Sequence, residues 1–152
     1  MVPFLDLGRY PLHTMADLCC FDFYTHLRWD ILTPRGPLTC TIAPADDLRL
    51  DPSMSWLLAG IPQMQPNLPT ALTGTIDLNL SGPGGGVWRL QRVNDMITVE
   101  PGDGTTDADA IVTSDTNAFA AWSTTRIPWR DAATIGGDQR VATEFLDALN
   151  LT

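Results

Sequence analysis

The chain has 152 residues, 44% of them hydrophobic, which suits one packed domain and excludes a disordered chain. Its formal net charge is −9, which disfavours nucleic acid and anionic membrane surfaces as partners. Its apolar stretches are interrupted by Asp, Arg and Pro, so no membrane span is expected.

The first predicted element is a helix over residues 14–32, ended by Pro34 and Pro37. Apolar residues occur on most of its sides, so we expect several neighbouring elements to bury it. Asp22 and His26 are four residues apart and fall on one side of this helix, within its apolar stripe.

The three cysteines are Cys19, Cys20 and Cys40. An odd number with two adjacent members does not suggest a disulfide framework, and no signal peptide is visible, so we expect a reduced, cytoplasmic protein. No cationic pattern surrounds the cysteines, which favours packing in the interior over a reactive thiolate.

In the middle of the chain, residues 38–42 alternate between apolar and polar side chains, which predicts a short strand. Asp51 followed by Pro52 is typical of a helix start. The apolar residues that follow predict a helix ending near Gly60.

The last part of the chain has the clearest order. Alternation predicts four strands, with a loop over 101–106 before the last of them: 72–80, 87–93, 96–99 and 108–113. Ser114 or Asp115 is expected to cap a helix, a short strand over 132–135 follows, and Asp138 leads into the final helix. This order predicts an α+β fold: an antiparallel sheet of about five strands covered by helices, with an N-terminal helix.

Asp22 and His26 are the first candidates for chemistry, because a carboxylate and an imidazole at this spacing can reach one metal ion. Zinc normally takes at least three protein ligands, and His13 is the other histidine of the chain, so the metal hypothesis combines Asp22, His26 and His13. Two alternatives stay open: a buried Asp–His pair that holds helices together, and a helix face that is simply exposed.

Three aromatic residues, Trp88, Phe119 and Trp122, are candidates to line an apolar cavity, although ordinary core packing is the simpler interpretation. The glycine-rich segment 82–86 is interpreted as a hairpin turn. It lacks the pattern of a phosphate loop, and a strand follows it instead of a helix.

Several of these segments resemble a sterol-carrier-protein-2-like domain. They follow its order of strand, helix, short strand, turn and final helix, and they are residues 108–115, 119–122, 135–138 and 141–149. The variant that they resemble most is the C-terminal domain of mycothiol-dependent maleylpyruvate isomerase-type proteins, whose hairpin is similar to residues 82–88. The resemblance covers residues 38–152.

In those longer proteins a four-helix, DinB-like domain precedes this module. Its last helix supplies an acidic residue and a histidine that bind a divalent metal together with an earlier histidine. Residues 21–30 resemble that helix, so the resemblance implies metal ligands at Asp22 and His26, with Asp22 where the family usually has Glu. We therefore divide the chain into residues 1–37, a remaining helix of a DinB-like bundle, and residues 38–152, a sterol-carrier-protein-2-like domain.

Three functions follow as hypotheses. The first is a non-catalytic module that binds a small apolar ligand or a partner protein. The alternative is part of an isomerase or transferase that depends on a divalent metal such as zinc and on a thiol, completed by a missing domain or a partner. In the third, the helix over 14–32 pairs with its copy in a homodimer or completes the helix bundle of a partner.

Overall fold

The structure is a computed structural model that describes residues 1–104 and 107–152. One five-stranded sheet carries helices on one face, and a two-stranded hairpin and two α-helices precede it along the chain. The predicted α+β class and the sheet of five strands are confirmed. Within the described ranges, none of the helices combines the length and the apolar character that crossing a membrane requires.

The elements follow each other along the chain in two groups. The first contains β1 (Val2–Phe4), β2 (Gly8–Tyr10), α1 (Thr14–Thr25), a π-helical turn (His26–Ile31) and α2 (Asp47–Gly60). The second contains a 3₁₀ turn (Leu68–Ala71), β3 (Ile76–Ser81), β4 (Gly86–Val93), β5 (Met96–Pro101), β6 (Ala110–Asp115), α3 (Thr116–Trp122), a second 3₁₀ turn (Trp129–Asp131), β7 (Ala133–Gly137) and α4 (Gln139–Ala148).

Local signals place the later elements where they were predicted. The Asp115 carboxylate accepts hydrogen bonds from the backbone N–H groups of Asn117 and Ala118, at 2.9 and 3.2 Å, and so caps α3. Asp138 caps α4 in the same way. The glycine-rich segment is the turn between β3 and β4, as expected.

The predicted strand over 38–42 is wrong. Residues 39–46 form neither strand nor helix, and Leu38 makes only an isolated bridge to Leu32. An alternating pattern becomes a strand only where a neighbouring strand accepts its backbone hydrogen bonds, and this segment has no such neighbour among the described residues.

The start predicted for the middle helix is also wrong. Helix α2 begins at Asp47, because the Asp46 side chain accepts a hydrogen bond from the backbone N–H of Arg49 (3.1 Å) and caps the helix. Pro52 therefore lies inside α2 and not at its first position.

The sheet is mixed, which corrects the expectation of an antiparallel one. Its order is β5-β4-β3-β6-β7, and β3 and β6 run parallel, with Ile76 opposite Ala110. After β5 the chain returns to the other side of β3 instead of forming another hairpin, so β6 runs in the same direction as β3. The predicted loop over 101–106 falls in this connection: Pro101 ends β5, and Thr105 and Thr106 lie outside the described residues.

Helix α1 packs against α2, and the rest of the domain covers it on one side only. Its buried residues share that side: Thr14, Phe21, Tyr24 and Thr25. The opposite side is exposed and includes Cys19 and Cys20, and Cys40 is exposed as well. Two expectations are thereby corrected, since neighbours do not enclose the helix and the cysteines are not packed in the interior.

A buried ion pair lies on the face of the sheet that the helices leave uncovered. The Asp77 side chain is 1% exposed and lies across from Arg89 on β4. Arg89 donates from Nε to Asp77 Oδ1 (2.5 Å), from Nη2 to Asp77 Oδ2 (2.9 Å), and from Nη2 to Asp107 Oδ1 (2.6 Å). Hydrogen bonds to Asp77 and then Asp107 raise the pKa of the Arg89 guanidinium above its ordinary range. The pair thus ties β3 and β4 to the segment that leads into β6.

Replacing Arg89 with Met should destabilise the fold strongly, because it leaves the buried Asp77 carboxylate unpaired. We expect the loss in free energy of unfolding to be at least about three times that caused by Arg92→Met, which breaks the exposed Arg92–Asp95 pair. Denaturant titration measures both. The double variant Asp77→Leu/Arg89→Met should recover much of the loss, and equal losses for the two single variants would contradict this account.

Candidate functional site

An open groove of about 390 Å³ lies between α1 and the segment that precedes and begins α2. Much of its wall is apolar and turned to solvent: the Phe23 side chain is 78% exposed and Leu27 is 43% exposed. We call it the α1 groove, and its lining residues are Cys19, Cys20, Phe23, Tyr24, Leu27, Arg28, Ile42, Ala43 and Arg49.

Arg28 is held in place along the α1 groove. Its guanidinium carbon lies 4.6 Å from the centre of the Tyr24 ring, and its Nη2 donates a hydrogen bond to the carbonyl of Ala43. Tyr24 donates from Oη to Asn117 Oδ1 (2.7 Å), which fastens α1 to α3. Burial raises the pKa of the Tyr24 hydroxyl, which keeps it protonated as a donor.

The two arginines of the α1 groove differ in their charge partners. Arg49 forms an ion pair with Asp46. Within the part of the chain that the structure describes, Arg28 has no carboxylate partner, only the ring and the carbonyl. The groove therefore combines apolar walls with one available cation, which suits an apolar chain that carries an anionic group.

The three aromatic residues predicted to line a cavity lie in or against the packed core between sheet and helices. Phe119 and Trp122 pack edge to face, with ring centres 4.9 Å apart, and Trp122 Nε1 donates to Ser114 Oγ (3.0 Å). Trp88 lies on β4 opposite Leu78. Of the three, Trp122 also borders a shallow pocket of about 300 Å³ next to Trp129. That these residues bind a ligand stays a prediction.

The structure brings two of the three predicted metal ligands together. Asp22 Oδ1 lies 3.3 Å from His26 Nε2, and their side chains are 60% and 50% exposed, not within a buried stripe as expected. His13 is the N-cap residue at the other end of α1, and a helical rise of 1.5 Å per residue puts it about 20 Å from His26. Among the described residues, no three His, Cys, Asp or Glu side chains form a group that could hold a metal ion. The metal site stays a prediction that needs a ligand from another chain.

Sequence reasoning missed the partners of His26. His26 Nδ1 lies 2.6 Å from Asp30 Oδ2, and Arg126 donates from Nε to Asp30 Oδ1 (3.0 Å) and from Nη2 to Asp30 Oδ2 (2.8 Å). The hydrogen bonds from Arg126, and then the one from His26, lower the pKa of the Asp30 carboxyl. The spacing of Asp22, His26 and Asp30 is visible in the sequence, but Arg126 lies 96 residues away from Asp30. These contacts fasten the π-helical turn to the segment after α3.

No protein-family model and no curated protein sequence matches the chain. Among solved structures, sterol carrier protein domain 2 of Helicoverpa armigera matches with a TM-score of 0.50 and 14% identity, over 71% of this chain and 91% of that one. Sterol Carrier Protein 2 Like 2 of Aedes aegypti matches with a TM-score of 0.48 and 19% identity, over 62% and 91%. A ubiquinone synthesis protein, UbiJ-SCP2, matches with a TM-score of 0.46 and 15% identity, over 64% and 90%.

The likeness to the Helicoverpa domain shows that the chain has the sterol-carrier-protein-2 fold. The predicted resemblance to such domains is confirmed at this level, and an identity this low carries no activity over. The finer resemblance to maleylpyruvate isomerase-type proteins stays a prediction, as does the division of the chain between residues 37 and 38.

The ion pair between Asp30 and Arg126 should make stability depend on acid pH. The folded state lowers the pKa of Asp30, so its contribution is fully present above the ordinary carboxyl value of about 4 and is lost as pH falls below it. We expect the free energy of unfolding to fall less for Asp30→Asn than for the natural protein when the pH is lowered from about 5 to about 3. Denaturant titrations at several pH values in this range measure the difference.

Arg126→Met serves as the matched variant, because it removes the hydrogen bonds from Arg126, the main cause of the lowered pKa of Asp30. It should reduce the pH dependence as well, and the double variant should reduce it no further than either single change. An unchanged pH dependence in both single variants would show that this pair does not contribute.

Proposed function

We propose that this chain is a non-catalytic module that binds a small amphiphile, with an apolar chain and an anionic group, in the α1 groove. The observation that carries the proposal is the position of Arg28, a cation without a carboxylate partner among the described residues, beside the exposed side chains of Phe23 and Leu27.

The apolar part of the ligand supplies most of the binding free energy. Phe23 and Leu27 expose apolar surface that a hydrocarbon chain would remove from water, at about 25 cal/mol for each Å² buried. Ile42 and Ala43 lie on the opposite wall, so the chain would contact protein on both sides. A volume of about 390 Å³ lies within the range of small-molecule sites.

The anionic part of the ligand would contact Arg28. Stacking on Tyr24 and the hydrogen bond to Ala43 hold the guanidinium before a ligand arrives, so little side-chain freedom is lost on binding. A guanidinium also presents paired N–H donors that match a carboxylate or phosphate group.

Two further observations support the proposal. The Helicoverpa domain that shares this fold is named a sterol carrier protein, which favours an apolar ligand here as well. Phe119 and Trp122 pack against each other within the core between sheet and helices, whereas the α1 groove is open to solvent. We also place the protein in the cytoplasm, where its three free, exposed cysteines would stay reduced.

A fluorescent fatty acid should bind the natural protein, and Phe23→Asp should weaken binding about tenfold or more, because it puts a charge against the apolar chain. The matched control is Leu48→Asp, since Leu48 is 81% exposed and does not line the groove. Circular dichroism checks that both variants fold. Equal affinities for the two variants, or no binding by the natural protein, would overturn the proposal.

The same titration separates the two ends of the ligand. Arg28→Gln should weaken binding of a fatty acid but not of the fatty alcohol of the same length, because only the acid uses the charge. Loss of both ligands to the same degree would show that Arg28 acts through the shape of the groove.

The alternative, a metal- and thiol-dependent isomerase or transferase, has its basis in the contact between Asp22 and His26. We expect zinc well below one equivalent in the purified protein, because two ligands hold the ion weakly. His26→Ala should not change the zinc content, and His13→Ala tests the third predicted ligand in the same way. A full equivalent of zinc that is lost in His26→Ala would favour the alternative.

A further inference from the structure

Four exposed positions of α1 and its continuation form one apolar line along the outer side of the helix. They are Ala16, Cys20, Phe23 and Leu27, and we call them the α1 seam. Their spacing of four, three and four residues is that of positions that meet a second helix in a two-helix contact. All four side chains are exposed to solvent, Phe23 to 78% and Leu27 to 43%. The seam therefore has the pattern of a helix contact without its second helix.

The order of large and small residues indicates which helix fits. The seam is symmetric about its midpoint, between residues 21 and 22, with its small members in the first half and its large members in the second. An identical helix running in the opposite direction would place Ala16 across from Leu27 and Cys20 across from Phe23. Each large side chain would then meet a small one, and the same contact would occur twice about a twofold axis.

We propose that a second copy of this chain docks along the α1 seam, with its helix antiparallel to the first, to form a twofold-symmetric dimer. The inference does not rest on ligand binding. Cys20, Phe23 and Leu27 belong to both surfaces, so a ligand in the α1 groove and a second copy on the seam compete for the same side chains.

The charges beside the seam agree with this direction. Asp17 lies near the first half of the seam and Arg28 near its end, on the same flank of the helix. In the antiparallel register, Asp17 of one copy lies across from residue 26 of the other. Arg28 of that copy is two residues further along, about 3 Å, which an arginine side chain can span. A parallel pair in register would leave Asp17 of one copy and Arg28 of the other 11 residues apart, about 16 Å along the axis, so it would gain no such contact.

Sedimentation velocity over a wide range of concentrations tests the dimer. The natural protein should associate, and Ala16→Arg should weaken association about tenfold or more, because it puts a long charged side chain against Leu27 of the other copy. Leu48→Arg is the matched control: its position is 81% exposed and off the seam, so it should associate normally. A natural protein that stays monomeric throughout, or an Ala16→Arg variant that associates normally, would overturn the proposal.

The same variant separates this inference from the proposed function. Ala16 lies on the seam but does not line the α1 groove, so a folded, monomeric Ala16→Arg protein can still be titrated with the fluorescent fatty acid. Retained fatty acid binding by the monomer supports both proposals. Association without any fatty acid binding supports the dimer alone.

Disulfide cross-linking tests the register. In a background with Cys19 and Cys40 replaced by Ala, Phe23→Cys should give a covalent dimer on mild oxidation, because positions 20 and 23 of the two copies lie across from each other. The background with Phe23 retained should not form a covalent dimer. Its two Cys20 residues lie on opposite helices and are also offset by about 4.5 Å along the helix axis. Efficient cross-linking of that background through Cys20 would show a parallel pair and overturn the antiparallel arrangement.

Discussion

Helix α1 packs against the domain with one side only, and both proposed binding surfaces depend on this one-sided contact. Phe21 and Tyr24 pack into the core that α2 shares, while the outer side of the same helix stays in water. Binding of a ligand, a partner or a second copy to such an exposed apolar face removes it from water, which lowers the free energy. Both proposed binding surfaces are parts of this face.

Two polar contacts keep that helix from moving away from the domain. The hydrogen bond between Tyr24 and Asn117 holds its C-terminal end, and the ion pair between Asp30 and Arg126 holds the turn that follows it. Both partners come from α3 or the segment just after it, so α1 is bound to the domain that carries the sheet. Both contacts hold α1 in position beside the groove, and Tyr24 and Ala43 hold the guanidinium of Arg28 within it.

The parts of the fold that local chemistry dictates could be read from the sequence. Asp115 and Asp138 begin their helices by capping them, and the glycine-rich turn joins two alternating strands, because each signal acts within a few residues. The parallel pairing of β3 and β6 could not be predicted, since it depends on where the chain goes after β5.

The candidate site shows the same limit. The spacing of Asp22 and His26 correctly placed the two side chains together, but a helix that is apolar on most sides does not reveal which side is buried. The pattern placed the pair in the interior, whereas the packing of α1 on α2 leaves it in solvent. Phe23 and Leu27 were overlooked for the same reason, because their importance comes from their exposure.

The most direct test of the account is a fatty acid titration followed by two-dimensional ¹H–¹⁵N NMR of the natural protein. We expect the backbone signals of residues 19–28 and 42–49 to shift in a saturable way, while those around Trp88 and Phe119 stay in place. Shifts confined to β4 and α3, with the signals of α1 unchanged, would place the ligand between sheet and helices and contradict the account.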